Sequence, residues 1–179
     1  MVCPRCVEAV EESLQDVGLI VKSVELGAAV IQSNQGVSDE QIAEVLEKRG
    51  FVLLAGREEK LIAQVKAAVL ELIHYQDDQP PVKNSVYLQE KIGLSYSHLS
   101  KLFSSLEGIT IEKYIILQKI ERVKELITYD ELSLTQIAAM MHYSSPQHLS
   151  NQFRTITGMS VSDFKRLKDK KRISLDQIG

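Results

Sequence analysis

Cysteine is scarce in this chain: 179 residues hold two, Cys3 and Cys6. Two thiols three positions apart cannot staple a fold, so a disulfide-held secreted scaffold is excluded, and the pair reads as ligands or redox thiols. Long apolar runs are missing too. None approaches the roughly 20 residues of a membrane span, and no secretory signal opens the sequence. The expectation is a cytoplasmic protein with no membrane partner. There is also no glycine-rich phosphate loop, no nucleophile with a base at a recognisable spacing and no carboxylate pair in a marked motif. No enzyme is expected.

What is present suits a soluble globular chain, with 44% hydrophobic and 25% charged residues. The length allows one domain or two small ones. A net charge of −3 argues weakly against nucleic acid, but its distribution matters more. Residues 1–56 carry four basic and nine acidic side chains, whereas residues 57–179 carry seventeen and fifteen. The stretch KRLKDKKR, residues 165–172, sets six basic residues against Asp169. It reads either as a phosphate contact or as a solvated, fraying tail.

The strongest signal is a repeat. HLSKLFSSLEGITIEKY, from His98, returns as HLSNQFRTITGMSVSDF, from His148, an offset of 50 residues. Such a period means one supersecondary unit built twice. Each copy reads as helix, tight turn, helix, the shape of a DNA reader. In the first, Tyr87–Ile92 leads, Gly93–Leu94 turns and Ser95 caps a helix with Leu99, Leu102, Phe103 and Leu106 as its core stripe. Tyr96, Ser97, Ser100, Lys101 and Ser104 lie opposite. In the second, Leu134–Met141 leads, His142–Ser144 turns and Ser145 caps a helix that starts at Pro146, a favoured first residue. Leu149, Phe153 and Ile156 point inward; Gln147, Ser150, Asn151 and Arg154 point out. Gln and Asn suit adenine, Lys and Arg suit guanine or phosphate. His98 and His148 recur in register and are assigned to packing or hydrogen bonding rather than to a metal.

Ahead of the repeat the periodicity changes. Residues 7–17 carry a helical stripe of Val7, Val10, Leu14 and Val17. Ile20–Leu26 and Ala28–Ser33 read as strands around Gly27. Ser38 with Gln41 forms a capping-box pattern for a helix bearing Ile42, Val45 and Leu46, and Phe51–Leu54 reads as a last strand. Arg57–Tyr75 is a long amphipathic helix that DDQPP, residues 77–81, breaks. The domain boundary falls at Gly56, giving an α+β module over 1–56, an all-α domain over 57–168 and a basic tail over 169–179.

The texts LQEKIGLSYSHLSKLFSSLEGIT, KIERVKELI and LTQIAAMMHYSSPQHLSNQFRTITGMSVSDFKR resemble the DNA-binding domain of AraC/XylS-type bacterial transcription regulators, over about residues 61–167. The resemblance implies seven helices, with two helix-turn-helix units joined by a helix at Leu117–Ile127. It further implies recognition helices in successive major-groove segments on one face of double-stranded DNA. Base and phosphate contacts would fall on Ser97, Ser100 and Lys101, then on Pro146, Gln147 and Asn151. Ser97 and Pro146 are poor base readers. His142 stands where the family usually has Gly, Val161 where it has Pro, and Lys165 where it has Arg.

Met1-Val2-Cys3-Pro4-Arg5-Cys6 leads directly into the first helix. The helix dipole and Arg5 both favour thiolate there. Two soft thiolates suit Cu(I), or Zn(II) if a second chain adds ligands. A redox pair and two surface thiols without duty are the competing readings. The motif with its element order resembles a heavy-metal-associated domain, a ferredoxin-like module that opens with a strand ahead of the motif. Here that strand is lacking: either the recorded start omits it, or another chain completes the sheet. The expectation is a DNA-binding transcription regulator that needs no cofactor to bind DNA, with a metal response through Cys3 and Cys6 and a homodimer through the amino-terminal module as candidate features that the sequence leaves open. A metallochaperone, a metal-buffering protein and a thiol-redox protein are the alternatives.

Overall fold

The computed structural model describes residues 1–32, 36–54, 56–75, 83–167 and 172–178. Its first part runs α1 (Pro4–Asp16), β1 (Ile20–Glu25), β2 (Ala28–Gln32) and α2 (Asp39–Glu47). The Ser38 hydroxyl accepts from the Gln41 amide and the Gln41 side chain accepts from the Ser38 amide, so the capping box forms as the spacing predicts. Val10, Leu14, Leu19, Ile42 and Leu46 make a small core beneath the hairpin.

Phe51–Leu54 does not become the expected last strand. Among the described residues the sheet has two antiparallel strands, β1 and β2, and 51–54 pairs with neither. A strand needs a neighbour within about 4.8 Å, and no described strand lies between this segment and β2. The ferredoxin-like sheet expected from the sequence is therefore reduced here to one hairpin. The end of the second expected strand, Ser33, and the DDQPP breaker lie outside the described residues.

The second part is all helical: α3 (Arg57–Leu70), α4 (Asn84–Ile92), α5 (Tyr96–Glu107), α6 (Ile111–Tyr129), α7 (Leu134–Met140), α8 (Pro146–Thr157) and α9 (Val161–Arg166). A π-helical turn over Glu71–Tyr75 continues α3. One hydrophobic core joins all seven helices, and Val65, Val69, Leu88, Phe103, Ile120, Leu149 and Phe153 have no exposed surface. The joining helix is longer than Leu117–Ile127, because Thr110 caps it by accepting from the Lys113 amide.

The two parts meet along α3. Gly27, at φ +86°, turns the hairpin so closely onto α3 that an added Cβ would lie 3.5 Å from Ala67 Cβ. Ala67 is buried on that side while Val65 and Val69 face the larger core. Residues 172–178 return over α6 instead of fraying. Ile178 is buried, the Ile173 amide donates to Glu121 Oε2 at 3.1 Å, and Gln118 Nε2 donates to the Leu175 carbonyl at 3.4 Å.

At the end of α7 the His142 amide donates to the Ala139 carbonyl and the Tyr143 amide to the Ala138 carbonyl, the double closure of a Schellman turn. That turn holds His142 at φ +56°, a left-handed conformation. A Cβ costs roughly 1–2 kcal/mol there, less the extra chain entropy that glycine loses on folding. His142→Gly should therefore stabilise the chain by about 1 kcal/mol, raising Tm by roughly 2–4 °C. An unchanged or lowered Tm would mean that the His142 side chain stabilises this turn.

Candidate nucleic-acid interface

The repeated residues turn out to be the frame of the two helix pairs. Ser95 and Ser145 cap α5 and α8, each hydroxyl accepting from the amide three residues on, that of His98 or His148. Gly108 and Gly158 close the same helices at φ +71° and +77°. Phe103 meets Tyr114 at a tilt with ring centroids 5.5 Å apart, and Phe153 meets Phe164 edge-on at the same 5.5 Å. Thr110 and Ser160 then cap the helices that follow. Most matched positions are thus a cap, a turn or a core contact, whereas His98 and His148 are exposed and Ser100 and Ser150 are half-buried on the outer side.

On the outer face of α5, Ser97 and Lys101 are exposed and Ser100 is half-buried. Tyr96 is held back: its hydroxyl donates to Glu112 Oε1 at 2.5 Å and its amide donates to Gln89 Oε1 at 2.8 Å. Burial first, then the hydrogen bond to the Glu112 carboxylate, pushes the Tyr96 hydroxyl well above the usual phenol range. Tyr96 therefore joins α4, α5 and α6 in place. Leu106, expected in the core stripe, is half exposed at 50%.

On α8, Gln147, Asn151 and Arg154 are exposed along one face, one turn apart. Gln147 Nε2 donates to Asn151 Oδ1 at 2.9 Å, which aligns two amides side by side with donors and acceptors left over. Arg154 and Asn151 border a shallow depression with Thr155 and Gly158. Pro146 starts the helix and is half-buried, and the Ser150 hydroxyl donates back to its carbonyl at 2.9 Å. Of the α8 residues expected to point out, Gln147, Asn151 and Arg154 are the ones with outward polar capacity.

The turn before α8 is pinned from several sides. Lys119 Nζ donates to the Met141 carbonyl at 2.8 Å and lies 5.5 Å from the centre of the Tyr143 ring. The Tyr143 hydroxyl donates to Gln152 Oε1 at 2.7 Å, and the His148 ring meets Tyr143 edge-on. His148 Nδ1 is also 3.0 Å from the Ser144 hydroxyl, the hydrogen-bonding role expected of it. Lys119 and Glu112 were not legible as site-forming residues, because their partners lie 22 and 16 residues away with no periodic signal.

The basic stretch near the carboxy terminus is internally paired where it is described. Lys165 pairs with Asp130, Arg166 with Asp163, and Arg172 lies 3.6 Å from Glu125. Exposed pairs of this kind are worth little, so the first two cations remain recruitable by a phosphate.

Cys3 is the N-cap of α1, and its Sγ stands 3.4 Å from that of Cys6. Burial pushes the Cys6 thiol up, but hydrogen bonds with the Val2 backbone and with the Cys3 side chain and backbone outweigh it and leave Cys6 below the usual thiol range. The pair does not stand apart from the helical domain. The Tyr75 hydroxyl donates to the Val2 carbonyl at 2.8 Å, and burial and the nearby charges of Cys3 and Cys6 push that hydroxyl up. Among the described residues no group of three or more His, Cys, Asp or Glu side chains is placed to hold a metal. Because the folded chain favours the Cys6 thiolate, its contribution to stability is present above the ordinary thiol pKa and lost as pH falls through the lowered one. Alkylation of Cys6 by iodoacetamide should show a lower pH midpoint in the folded chain than in guanidinium. Cys3→Ala should move that midpoint up, and coincident folded and unfolded curves would contradict the assignment.

The chain is similar to several known proteins. A helix-turn-helix domain family matches residues 88–167. A probable transcriptional regulator, LumQ of Photobacterium leiognathi, is 27% identical over 121 residues, covering 67% of this chain and 47% of LumQ. An uncharacterized HTH-type transcriptional regulator of Staphylococcus aureus is 31% identical over 78 residues, covering 44% of this chain and 10% of that protein. The chain thus spans less than half the length of these curated relatives. Among solved structures, transcriptional regulator CdpR of Pseudomonas aeruginosa overlays 78% of this chain and 42% of its own, with 16% identity and a TM-score of 0.49. A xylose-binding transcription activator, xylR, overlays 64% and 28%, with 19% identity and a TM-score of 0.46. No described helix is long and apolar enough to cross a membrane. Residues 88–167 thus match a helix-turn-helix domain family, and the curated relatives are named as transcriptional regulators.

Proposed function

We propose that this chain is a sequence-specific transcription regulator of AraC type that reads double-stranded DNA with α5 and α8. The observation that carries this reading is the doubled frame: two helices with the same caps, the same closing glycine and the same aromatic lock, each bearing a polar outer face. In α5 the contacts fall to Ser97, Ser100 and Lys101; in α8 they fall to Gln147, Asn151 and Arg154. The Gln147–Asn151 pair suits adenine, and Lys101 and Arg154 suit guanine or phosphate. Tyr96, Pro146 and Ser150 set the position of these groups.

Selection from a random duplex pool by the full chain should enrich a two-part sequence. Arg154→Ala and Lys101→Ala should each weaken binding to the selected duplex by roughly tenfold, and a lost phosphate contact should lower the salt slope by about 1. Gln147→Ala should relax sequence preference at one position. Failure to enrich any sequence, with binding equally weak to all duplexes, would contradict the reading.

The Cys3–Cys6 pair supports a second part of the proposal, a response to a thiolate-bound metal. Two soft thiolates suit the low coordination number of Cu(I), and the sulfurs would part from their hydrogen-bonded 3.4 Å separation to take the ion. Zn(II) would need donors from a second copy, which would make a homodimer through the amino-terminal module. The link from Val2 to Tyr75 gives the bound ion a route to α3. An ion changes DNA affinity only if it prefers one conformational state. Cu(I) titrated against a chromogenic chelator should bind near one ion per chain and should fail to bind the Cys3→Ser, Cys6→Ser double variant. DNA-binding midpoints that stay equal with and without Cu(I) would remove the metal response while leaving the DNA-binding reading intact.

A further inference from the structure

The π-helical turn that continues α3 carries a buried histidine. His74 is 7% exposed, and its Nε2 has no hydrogen-bond partner among the described residues. On α6 the fully buried Gln118 is short of a partner in the same way at Oε1, while its Nε2 serves the Tyr114 hydroxyl and the Leu175 carbonyl. Burial first, then the charge of Arg122 and that of Arg172, hold the His74 ring below the usual imidazole range against the opposing pull of Gln118 and Glu125. Gln118, Glu121, Arg122 and Glu125 follow at i, i+3, i+4 and i+7, so they share one face of α6.

Residues 172–178 lie along that face. Ile178 is buried, the Ile173 amide donates to Glu121 Oε2 at 3.1 Å, and Arg172 lies 3.6 Å from Glu125. The charges here balance only with a neutral ring. Glu121 is taken by Lys124 at 2.5 Å and by the Ile173 amide, and Glu125 faces both Arg122, at 2.8 Å, and Arg172. The other ionisable groups of the turn are engaged elsewhere: Glu71 with Lys91, and Tyr75 with the Val2 carbonyl beside Cys3 and Cys6. A protonated His74 would set a third cation against the Glu125 carboxylate, where burial leaves charge poorly solvated. We infer that residues 172–178 are a latch on α6 that protonation of His74 opens. Arg172 is the part of the latch that a charged ring repels, and its 3.6 Å link to Glu125 is the longest of the set. Once the latch leaves, water reaches the ring and solvates its charge. The ring is neutral in the closed chain, so its contribution to closure is full above the ordinary imidazole pKa and is lost as pH falls through the lowered one. Each pH unit between the open and closed values changes the latch equilibrium about tenfold. Opening takes the Ile173 and Leu175 links off α6, whatever α5 and α8 bind.

NMR of the full chain with labelled isoleucine methyls tests this without DNA. As pH is lowered from about 8 to about 5, the Ile178 methyl should move to the shift of an exposed isoleucine, with the same midpoint as the His74 ring protons. In His74→Gln, which keeps a neutral polar side chain, that methyl should stay at its closed position across the range. Glu125→Gln removes the carboxylate that faces both arginines and should move the opening to higher pH. An Ile178 methyl that holds its closed position throughout in the unaltered chain would overturn the inference, and this result needs no variant. So would opening of His74→Gln at the unaltered midpoint, since a carboxylate such as Glu121 or Glu125 would then be the trigger.

Discussion

Helix α6 is enclosed along most of its length, and both helix pairs take their positions from it. It packs on α3, α5, α7 and α8. Ile111, Tyr114 and Ile115 near its start, and Ile120, Val123 and Ile127 further on, are all buried. Some polar groups there are tied down as well. Gln118 is fully buried and donates to the Tyr114 hydroxyl at 3.0 Å, and Lys124 pairs with Glu121 at 2.5 Å. Gln118 Nε2 also donates to the Leu175 carbonyl and Glu121 Oε2 accepts from the Ile173 amide. Breaking a buried hydrogen bond costs about 1–3 kcal/mol, so these links to residues 172–178 resist rotation of the helix. Tyr96 bonded to Glu112 fixes α5 to one end of α6, and Lys119 fixes the turn before α8 further along it. The separation of the two outer faces is therefore a property of one rigid rod.

The amino-terminal module depends on the same helical body through a thinner contact. Its own core has five buried residues, and a two-stranded hairpin is marginal without a partner. The support comes from α3, which is buried on two sides: Ala67 beneath Gly27, and Val65 with Val69 toward the larger core. Lys66 on the same helix reaches Glu107 at 2.6 Å and lies 5.9 Å from the centre of the Tyr114 ring. A shift of α3 would thus be felt at the end of α5 and the start of α6. The Tyr75 contact to Val2 places the cysteine pair at the far end of that helical run. Events at the small module and the geometry of the first outer face are joined by packed atoms.

The repeat made the helical part legible because it marks what cannot vary. Leu99 and Leu149, Phe103 and Phe153, and Gly108 and Gly158 recur since each copy must fill one core and end one helix in the same way. Caps such as Ser38, Ser95 and Ser145 were readable for the same local reason. What was not readable depends on distant partners. Phe51–Leu54 has strand chemistry, but a strand exists only beside another strand. Tyr96 has the position of a base reader, yet a carboxylate on the next long helix claims its hydroxyl. The run after Lys165 looks like a free basic tail, whereas Ile178 is buried and Arg172 faces Glu125. Helical spacing gave the outward directions of Gln147, Asn151 and Arg154, and gave nothing on the hydrogen bond that aligns the first two.

Hydroxyl-radical footprinting of the full chain on a duplex obtained by selection tests the central claim most directly. Two reading helices fixed to one rod should protect two patches on one face of the duplex, about one helical turn or 10–10.5 base pairs apart. Inserting roughly half a turn of DNA between the patches should remove one of them and most of the affinity. A single protected patch, or two patches whose protection survives that insertion, would contradict the claim that α5 and α8 read DNA together.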